Sequence, residues 1–254
     1  MRLLLNAFAG LTLSAATLAS AQEPALPHWD YTGPADAEHW GTLDPSYHAC
    51  VDGSVQSPID IRINEVVEGD LPSLETKYQS AVSKIVNNGH TVQVAVPPGS
   101  GFDVERHHFE MLQFHFHAPS EIRIDGRVYP MEVHFVHQRE DAALGVIGVL
   151  VQEGAENPEL QKVLDHMPAT IGEVVDLASV QIDITKLLPQ DQRYYRLMGS
   201  LTTPPCSKGV HWFVMEQPMT ASKAQIEAFS ALFLGGDARP LQKANYRLVV
   251  RDPH

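Results

Sequence analysis

Two histidines at alternate positions of an apolar segment are the side chains in this sequence best placed for chemistry. The segment reads Gln113-Phe114-His115-Phe116-His117, so aromatic and imidazole side chains alternate. Side chains two residues apart in a β-strand point to the same face of the sheet, so His115 and His117 project together. A buried imidazole needs a polar partner, and one metal ion would serve both rings. Surface histidines and hydrogen-bonded core histidines are the alternatives that this pair alone leaves open.

A third histidine lies on a second alternating segment, Met131–His137. His134 follows His117 by 17 positions (134 − 117), with Asp125-Gly126 between them, a dipeptide typical of tight hairpin turns. If the two strands pair, His134 lies beside the other two rings. Three imidazoles with one open coordination position are typical of catalytic zinc, because structural zinc normally takes four protein ligands.

Two polar residues are placed to hold the histidine rings. A metal-bound histidine needs an acceptor for its other ring nitrogen. Gln113 precedes His115 by two residues, and Glu132 precedes His134 by two, so each shares a strand face with its histidine. The alternative for Glu132 is a solvated charge on an edge strand, which its apolar neighbours Met131 and Val133 disfavour.

The elements that must position these side chains are predominantly strands. Period-two or continuous apolar patterns predict strands over 91–96, 111–117, 131–137, 144–151 and 211–217. Asn157-Pro158 predicts a helix start, and 220–234 predicts a second helix ending at Gly235-Gly236. The predicted fold class is mainly β, a single domain built on a large, twisted, mostly antiparallel central sheet with a few surface helices.

Composition and the N-terminal segment restrict the setting in which the chain works. A formal net charge of −13 argues against nucleic acid or an anionic membrane as a partner. Residues 1–21 have the charged, apolar and small-residue regions of a signal peptide, with a membrane anchor as the alternative. We therefore expect a mature domain over 22–254, no membrane contact after cleavage, and a periplasmic or secreted location.

The sequence contains two cysteines, Cys50 and Cys206. In an exported protein they meet an oxidising compartment, which favours a single disulfide closing a very long loop. A pair of buried free thiols is the alternative, and spacing alone does not decide between the two.

Longer blocks of the sequence resemble the α-class carbonic anhydrases, especially their exported bacterial members. The blocks are "QFHFHAPSE", "MEVHFVH", "NNGH" and "GSLTTPPCSKGVHWFV", and the resemblance runs from "HWDY" and "QSPIDI" to "RPLQ". It covers nearly the whole mature chain in the expected order. The resemblance implies reversible hydration of CO2 to bicarbonate and a proton by zinc-bound hydroxide, with Zn²⁺ on His115, His117 and His134.

The resemblance also implies roles for residues around the metal. Thr202 would accept a hydrogen bond from the zinc-bound hydroxide, Glu121 would accept the proton of Thr202, and His90 would be the proton shuttle, which we expect to be exposed. The positions that match the family's ordered-water network are Tyr31, Asn88, Gln93 and Thr203. Those that match the apolar wall for CO2 are Val136, Val146, Leu201, Val210 and Trp212.

The chain departs from the family pattern at two positions. The family commonly has histidine where this chain has Ile122 and tyrosine where it has Leu197. Replacing both members of a hydrogen-bonded pair by apolar groups can be nearly neutral. We expect Ile122 and Leu197 to touch and to form a dry patch beneath Glu132, which would lose a hydrogen-bond donor.

Two other functions and one assembly state remain open from the sequence. The first alternative is a zinc-dependent esterase using the same hydroxide, and the second is a non-catalytic binding domain, since the fold has members that lost zinc ligands. All three histidines, Thr202 and Glu121 are retained, which argues against the second. Bacterial relatives are often dimers, so a homodimer is open, although no sequence feature marks an interface.

Overall fold

The computed structural model describes residues 28–51 and 53–254. The predicted signal peptide lies outside these residues. Fifteen strands are β1 Asp60–Ile61, β2 Val67–Glu68, β3 Glu75–Lys77, β4 Lys84–Asn87, β5 Val92–Ala95, β6 Gly101–Val104, β7 His107–His117, β8 Arg123–Ile124, β9 Met131–Gln138, β10 Leu144–Glu153, β11 Val174–Asp176, β12 Tyr194–Ser200, β13 Lys208–Met215, β14 Met219–Ala221 and β15 Val249–Arg251. The α-helices are α1 Trp40–Leu43, α2 Pro158–Asp165 and α3 Lys223–Ser230, and short 3₁₀ helices cover Gly33–Ala35, Pro45–Cys50, Ile63–Glu65 and Ile184–Leu187.

One large mixed sheet carries the site. Its main path runs β11-β4-β5-β7-β9-β10-β13-β12-β15-β2. Most neighbouring strands are antiparallel, whereas β10 pairs in parallel with β13 and β14, and β15 with β2. The predicted fold class, a mainly antiparallel sheet with few helices, is confirmed.

The central strands β7, β9 and β10 are among those that the hydrophobic pattern predicts. β7 pairs antiparallel with β9 in a register that places His115 directly opposite His134. β9 pairs in turn with β10, where Gly148 lies opposite His134. Seven residues of β10, 145–151, are buried, which explains its continuous apolar run.

The segment between β7 and β9 contains the predicted tight turn. Asp125 and Gly126 both have positive φ, and the Arg127 N–H donates to the Ile124 carbonyl at 2.9 Å. The turn does not join β7 to β9 directly. Instead it follows the short strand β8, which pairs in parallel with β1. The prediction of paired strands is confirmed, while the connection is longer than a simple hairpin.

The two longer helices begin at side-chain caps. Asn157 accepts hydrogen bonds from the N–H groups of Glu159 and Leu160, as predicted for the start of α2. The prediction of a helix over 220–234 is too long. Met219–Ala221 pairs with β10 as β14, and Ser222 then forms a capping box with Gln225, so α3 covers only Lys223–Ser230.

The two faces of the central strands pack against different surroundings. Phe114 and Phe116 of β7 belong to the larger hydrophobic cluster together with Phe135 of β9. His115 and His117 of β7 project to the opposite face, as the alternation predicts. A second hydrophobic cluster, which we call the small cluster, lies beside them and includes Trp212 of β13.

The two cysteines form a disulfide with a Cα–Cα distance of 5.1 Å and a sequence separation of 156 residues. The predicted bridge is confirmed. The Cys50–Cys206 bridge packs in a third cluster with Trp40 and Tyr47, away from the main core. Among the described residues, no helix is both long and apolar enough to span a membrane.

Candidate metal centre

Two adjacent strands bring the three predicted histidines together. His115 and His117 lie on β7 and His134 lies on β9. One ring nitrogen from each histidine lies within 4.8 Å of the corresponding atoms of the other two. His117 and His134 are buried, whereas His115 is partly open to the cavity described below.

Each ring is oriented by a hydrogen bond to its other nitrogen. His115 Nδ1 lies 2.8 Å from Gln113 Oε1, and His134 Nε2 lies 2.9 Å from Glu132 Oε1. His117 Nδ1 lies 2.7 Å from the backbone carbonyl of Asp237. Because all three partners are acceptors, these nitrogens carry the protons. The lone pairs are therefore on Nε2 of His115, Nε2 of His117 and Nδ1 of His134.

The sequence predicted two of these three ring partners. Gln113 and Glu132 hold their histidines as the two-residue spacing indicates. The partner of His117 was missed, because it is a backbone carbonyl 120 positions away in the chain. Every residue has such a carbonyl, so no residue type signals it.

Glu132 is fully buried and accepts three hydrogen bonds. Its Oε1 takes the His134 ring proton, and its Oε2 takes the backbone N–H groups of Glu121 and Ile122, both at 2.9 Å. The carboxylate is therefore held on both oxygens. The expected loss of a donor relative to the family stays a prediction; the donors present are the His134 ring and two backbone N–H groups.

Ile122 and Leu197 both lie in the small cluster, 2 % and 3 % exposed. An apolar patch near Glu132 is thus present, as expected from the sequence. Trp212 of the same cluster packs against His134, with ring centroids 4.9 Å apart.

Glu121 is buried with its two oxygens in different environments. Oε1 accepts the backbone N–H of Arg239 at 2.8 Å. Oε2 has no hydrogen-bond partner in the described part of the chain, and it lies 3.6 Å from His117 Nε2 and 3.9 Å from His134 Nδ1. A hydrogen bond from Thr202, which is also buried, stays a prediction.

Arg239 anchors this carboxylate and was not predicted as part of the site. Its guanidinium is buried and donates to Gln56 Oε1 and to the carbonyls of Ser57 and Cys50. Burial lowers the pKa of Arg239 to about 10, so the group remains charged at neutral pH. The "RPLQ" block contained the residue, but a buried arginine held by carbonyls has no periodic signal.

The electrostatics of the cluster differ from ring to ring. Burial lowers the pKa of His115 well below its usual value, and the neighbouring His117 and His134 lower it further. Burial also opposes charge on His117, but Glu121 and Asp237 outweigh it and raise its pKa. Burial raises the pKa of Asp237 to about 7. The pocket thus contains one ring that favours the neutral form, His115, and one ring whose protonation is favoured by two carboxyl groups, His117.

The cluster fits a zinc ion by the chemistry of its donors. His117 Nε2 is buried without a hydrogen-bond partner among the described residues, although buried polar atoms are nearly always paired. Three imidazole nitrogens converge on one point, each ring is fixed from behind, and Glu121 supplies negative charge nearby. These are the ligands and the outer hydrogen bonds that a three-histidine zinc site requires.

A small cavity of about 120 Å³ opens onto His115 and His117. The predicted water-network residues Tyr31, Asn88, Gln93 and Thr203 all line it, as does His90. The other lining residues are Trp29, Thr91 and Gln113. The Tyr31 hydroxyl is buried and has no hydrogen-bond partner within residues 28–51 and 53–254, and burial raises its pKa well above the usual value.

His90 is partly buried rather than exposed as expected. Its ring stacks on the indole of Trp29, with centroids 3.6 Å apart and planes 9° from parallel. Its Nδ1 is buried without a partner in the described residues. Burial lowers the pKa of His90 and nearby His28 lowers it further, while Asp30 opposes the shift.

The predicted apolar wall is part of the small cluster rather than of the cavity lining. Val136, Val146, Val210 and Trp212 are buried in that cluster, and Leu201 packs against it. Val136 follows His134 by two residues on β9, and β10 places Val146 opposite it. The wall therefore adjoins His134, whereas the polar cavity adjoins His115 and His117.

Comparison with known proteins matches residues 35–252 to the family model described as eukaryotic-type carbonic anhydrase. The chain belongs to that family. A carbonic anhydrase of Pectobacterium carotovorum is 43 % identical over 240 residues, covering 94 % of this chain and 96 % of the relative. The α-carbonic anhydrase of Thermovibrio ammonificans, solved with the inhibitor sulfanilamide, superposes with a TM-score of 0.86 at 43 % identity, covering 88 % of this chain and 98 % of the other.

The relatives also include proteins with a different name. Dioscorin dioA3 of Dioscorea japonica is 32 % identical over 223 residues, covering 85 % of this chain and 82 % of the relative. The chain thus has relatives of both names. Its own three-histidine cluster is the feature from which its chemistry is argued below.

Proposed function

We propose that this protein catalyses the reversible hydration of CO2 to bicarbonate and a proton, with Zn²⁺ held by His115, His117 and His134. The observation that carries the proposal is the convergence of three ring nitrogens within 4.8 Å, each ring fixed by an acceptor behind it. Membership of the carbonic anhydrase family supports the same conclusion.

The zinc ion, when bound, acidifies a water molecule so that hydroxide is available at neutral pH, the property for which carbonic anhydrases are the standard example. The residues described below hold the histidine rings, orient the attacking oxygen and move the released proton. Gln113, Glu132 and the Asp237 carbonyl hold the rings at fixed angles, so little reorganisation is needed when the metal binds.

Thr202 and Glu121 orient the attacking oxygen in this proposal. Glu121 Oε2 is a buried acceptor with no hydrogen-bond partner among the described residues, so it is available to take the Thr202 hydroxyl proton. With that proton fixed, the lone pair of Thr202 Oγ1 faces the metal side and accepts a hydrogen bond there. The Arg239 N–H prevents Glu121 from turning away, because it holds the other carboxylate oxygen.

The apolar wall selects a small substrate without charge. Val136, Val146 and Trp212 belong to the buried small cluster. Their hydrophobic side chains do not attract a charged or strongly hydrated substrate. CO2 is linear and apolar, so an apolar surface beside His134 suits it, whereas bicarbonate is charged and is disfavoured there. Membership of the carbonic anhydrase family supports CO2 and bicarbonate as the substrate pair.

His90 carries the released proton out of the site in this proposal. It lines the same cavity as His115, with Tyr31, Asn88, Gln93 and Thr203 available to order water between the two. An ordinary imidazole titrates near neutrality, at about 6.5, so it can both accept and release the proton during turnover. The lowered pKa of His90 favours release.

The setting that we propose is extracytoplasmic. Residues 1–21 would be a signal peptide and 22–254 the catalytic domain, exported to the periplasm or secreted. The disulfide supports this location, because such bonds persist in oxidising compartments.

Stopped-flow CO2 hydration, with metal content measured on the same sample, tests the proposal. Zinc-loaded protein should turn over CO2, chelator-treated protein should not, and restored zinc should restore the rate. His115→Ala should lose bound zinc and activity together. No CO2 turnover with full zinc occupancy would contradict the proposal; ester hydrolysis alone would indicate an esterase, and neither activity a binding domain.

A further inference from the structure

A second histidine, His28, lies beside His90, which lines the cavity. The rings of His28 and His90 have centroids 5.9 Å apart and planes 29° from parallel. Trp29, the residue next to His28, stacks on His90, so one short segment fixes both contacts. Asp30 is 3.9 Å from His28 Nε2, which gives the outer ring a nearby carboxylate.

We propose that His28 is a second proton carrier, which receives the proton from His90 and passes it to buffer. This rests on the proposed function, and it adds a step to the path out of the site. Two imidazoles at this separation can exchange a proton through one bridging water. His28 acts through His90 and touches neither the metal nor the substrate.

The exposure of the two rings gives the path a direction. The side chain of His28 is 76 % exposed, whereas His90 is partly buried against Trp29 with its Nδ1 shielded from solvent. Buffer molecules therefore reach His28 far more easily than His90. A proton on His90 leaves only when a buffer molecule reaches that partly buried ring. Transfer to His28 moves the proton to a ring that buffer reaches directly.

The charges around the pair favour one proton at a time. The charged groups that act on His90 are His28, which disfavours its protonation, and Asp30, which favours it. A proton on His28 therefore repels a second proton on His90. Once His28 has been protonated, His90 is returned to its neutral form, ready to accept the next proton.

The transfer balances without any further reactant. His90 imidazolium gives one N–H proton to the bridging water, which gives one of its own protons to the free nitrogen of His28. His90 ends neutral and His28 ends as the imidazolium, paired with Asp30. A buffer base then takes that proton, and the cycle returns to two neutral rings.

Steady-state CO2 hydration in dilute and in concentrated buffer tests this step, with the zinc-loaded variants His28→Ala, His90→Ala and the double variant. In dilute buffer His28→Ala should lower kcat by roughly two- to fivefold and leave kcat/KM unchanged, because only proton export is slowed. Added imidazole should restore kcat. In the His90→Ala background, removal of His28 should have no further effect, as expected for two carriers in series.

His39→Ala is the matched control. His39 is also an exposed histidine with a carboxylate partner, Asp36 at 2.7 Å, but it does not line the cavity. This variant should keep the wild-type kcat in every buffer. A second readout is the titration of His90 by NMR, in which His28→Ala should raise the pKa of His90 by removing the neighbouring positive charge.

The outcomes separate this inference from the proposed function. A wild-type protein without CO2 turnover would overturn the proposed function itself. An unchanged kcat in His90→Ala would show that His90 is not a proton carrier. The proposed series of two carriers would then be wrong as well. If His90→Ala is slow and His28→Ala keeps the wild-type kcat in dilute buffer, the inference about His28 alone is wrong. Equal losses in His28→Ala at all buffer concentrations would also overturn it.

Discussion

The three histidines of the candidate metal centre differ in the acceptor that binds the protonated ring nitrogen of each. The three acceptors differ in kind: an amide oxygen, a carboxylate and a backbone carbonyl. A carboxylate raises the basicity of its ring more than a neutral acceptor does, so His134 is the strongest donor of the three. The three positions are therefore not interchangeable, although their residue type is the same.

Removing the acceptor charge at Glu132 should weaken the metal site. Glu132→Gln keeps the shape but replaces a carboxylate that accepts three hydrogen bonds, two of them from backbone N–H groups. We expect zinc affinity to fall by roughly 10- to 100-fold. Competition with a chromophoric chelator would measure it, with Gln113→Ala, which loses only a neutral acceptor, as the comparison. Unchanged affinity in Glu132→Gln would contradict this account.

The apolar pair beside Glu132 should tolerate a paired change better than a single one. Leu197→Tyr places a hydroxyl in the small cluster, which we expect to destabilise the protein by about 1–3 kcal/mol if that hydroxyl finds no partner. Ile122→His in the same chain offers a partner, so the double variant should recover part of the loss. Urea unfolding of the two single variants and the double variant gives the coupling energy. A strictly additive loss would show that the side chains do not meet.

At the scale of the elements, the β7–β9 register brings the histidines of the two strands together in the candidate metal centre. His115 lies opposite His134, and a shift of one residue would turn every histidine of one strand to the other face. The register is enforced by the aromatic residues on the reverse side, where Phe114 lies opposite Phe135. The hydrophobic core thus sets the geometry of the polar face.

His137 on β9 should make stability depend on pH. It is fully buried, its Nε2 lies 3.0 Å from the Tyr78 hydroxyl, and burial lowers its pKa to about 3. Between an unfolded value of about 6.5 and that folded value, the unfolded chain binds a proton that the folded chain does not. Stability should therefore fall as the pH falls through this window, by up to about 1.4 kcal/mol per pH unit.

His137→Gln should flatten that dependence, as measured by urea unfolding at several acidic pH values. His108→Ala is the contrasting control, because hydrogen bonds to Asp103 and Glu110 raise the pKa of His108. Protonation of His108 favours the folded state, so its removal should not flatten the acid limb. An acid limb equally steep in His137→Gln would show that other groups cause it.

The sequence predicted those features that depend on local alternation and spacing. The strands, Gln113, Glu132 and the Asn157 cap all follow from residues within a few positions of one another. The histidine cluster follows from two such local patterns once their strands pair. The features that it missed depend on distant chain segments. The Asp237 carbonyl and Arg239 reach the site from near the C-terminus, and the strand β14 shortens α3 because it finds an edge of β10 to pair with. The stacking of Trp29 on His90 likewise joins segments about 60 residues apart.

At the scale of the whole molecule, the disulfide joins the segment before β1 to the loop between β12 and β13. Both cysteines are buried beside Trp40. Backbone carbonyls of the two cysteines also accept hydrogen bonds from Arg239 and Gln56. The bridge therefore supports Arg239, the residue that holds Glu121. Neither cysteine belongs to the histidine cluster itself.

The double variant Cys50→Ala, Cys206→Ala should be less stable by about 2–5 kcal/mol, since the cross-link no longer restricts the unfolded chain. Thermal unfolding of the variant and of the wild type, each with and without reductant, measures this. Reductant should lower the Tm of the wild type and leave the variant unchanged. Equal Tm values for wild type and variant would contradict a stabilising bridge.

The covalent loop closed by Cys50 and Cys206 also encloses all three histidines, Glu121 and Thr202. An exposed turn at Arg139–Ala143 lies within that loop. A protease that cuts this turn once leaves two fragments still joined by the bridge. The nicked protein should run as one band in electrophoresis without reductant and as two bands after reduction. A cut in this turn would leave β7 and β9 with their three histidines on one fragment and Thr202 on the other. In a protease-rich compartment, the bridge would thus keep Thr202 attached to the fragment that carries the histidines.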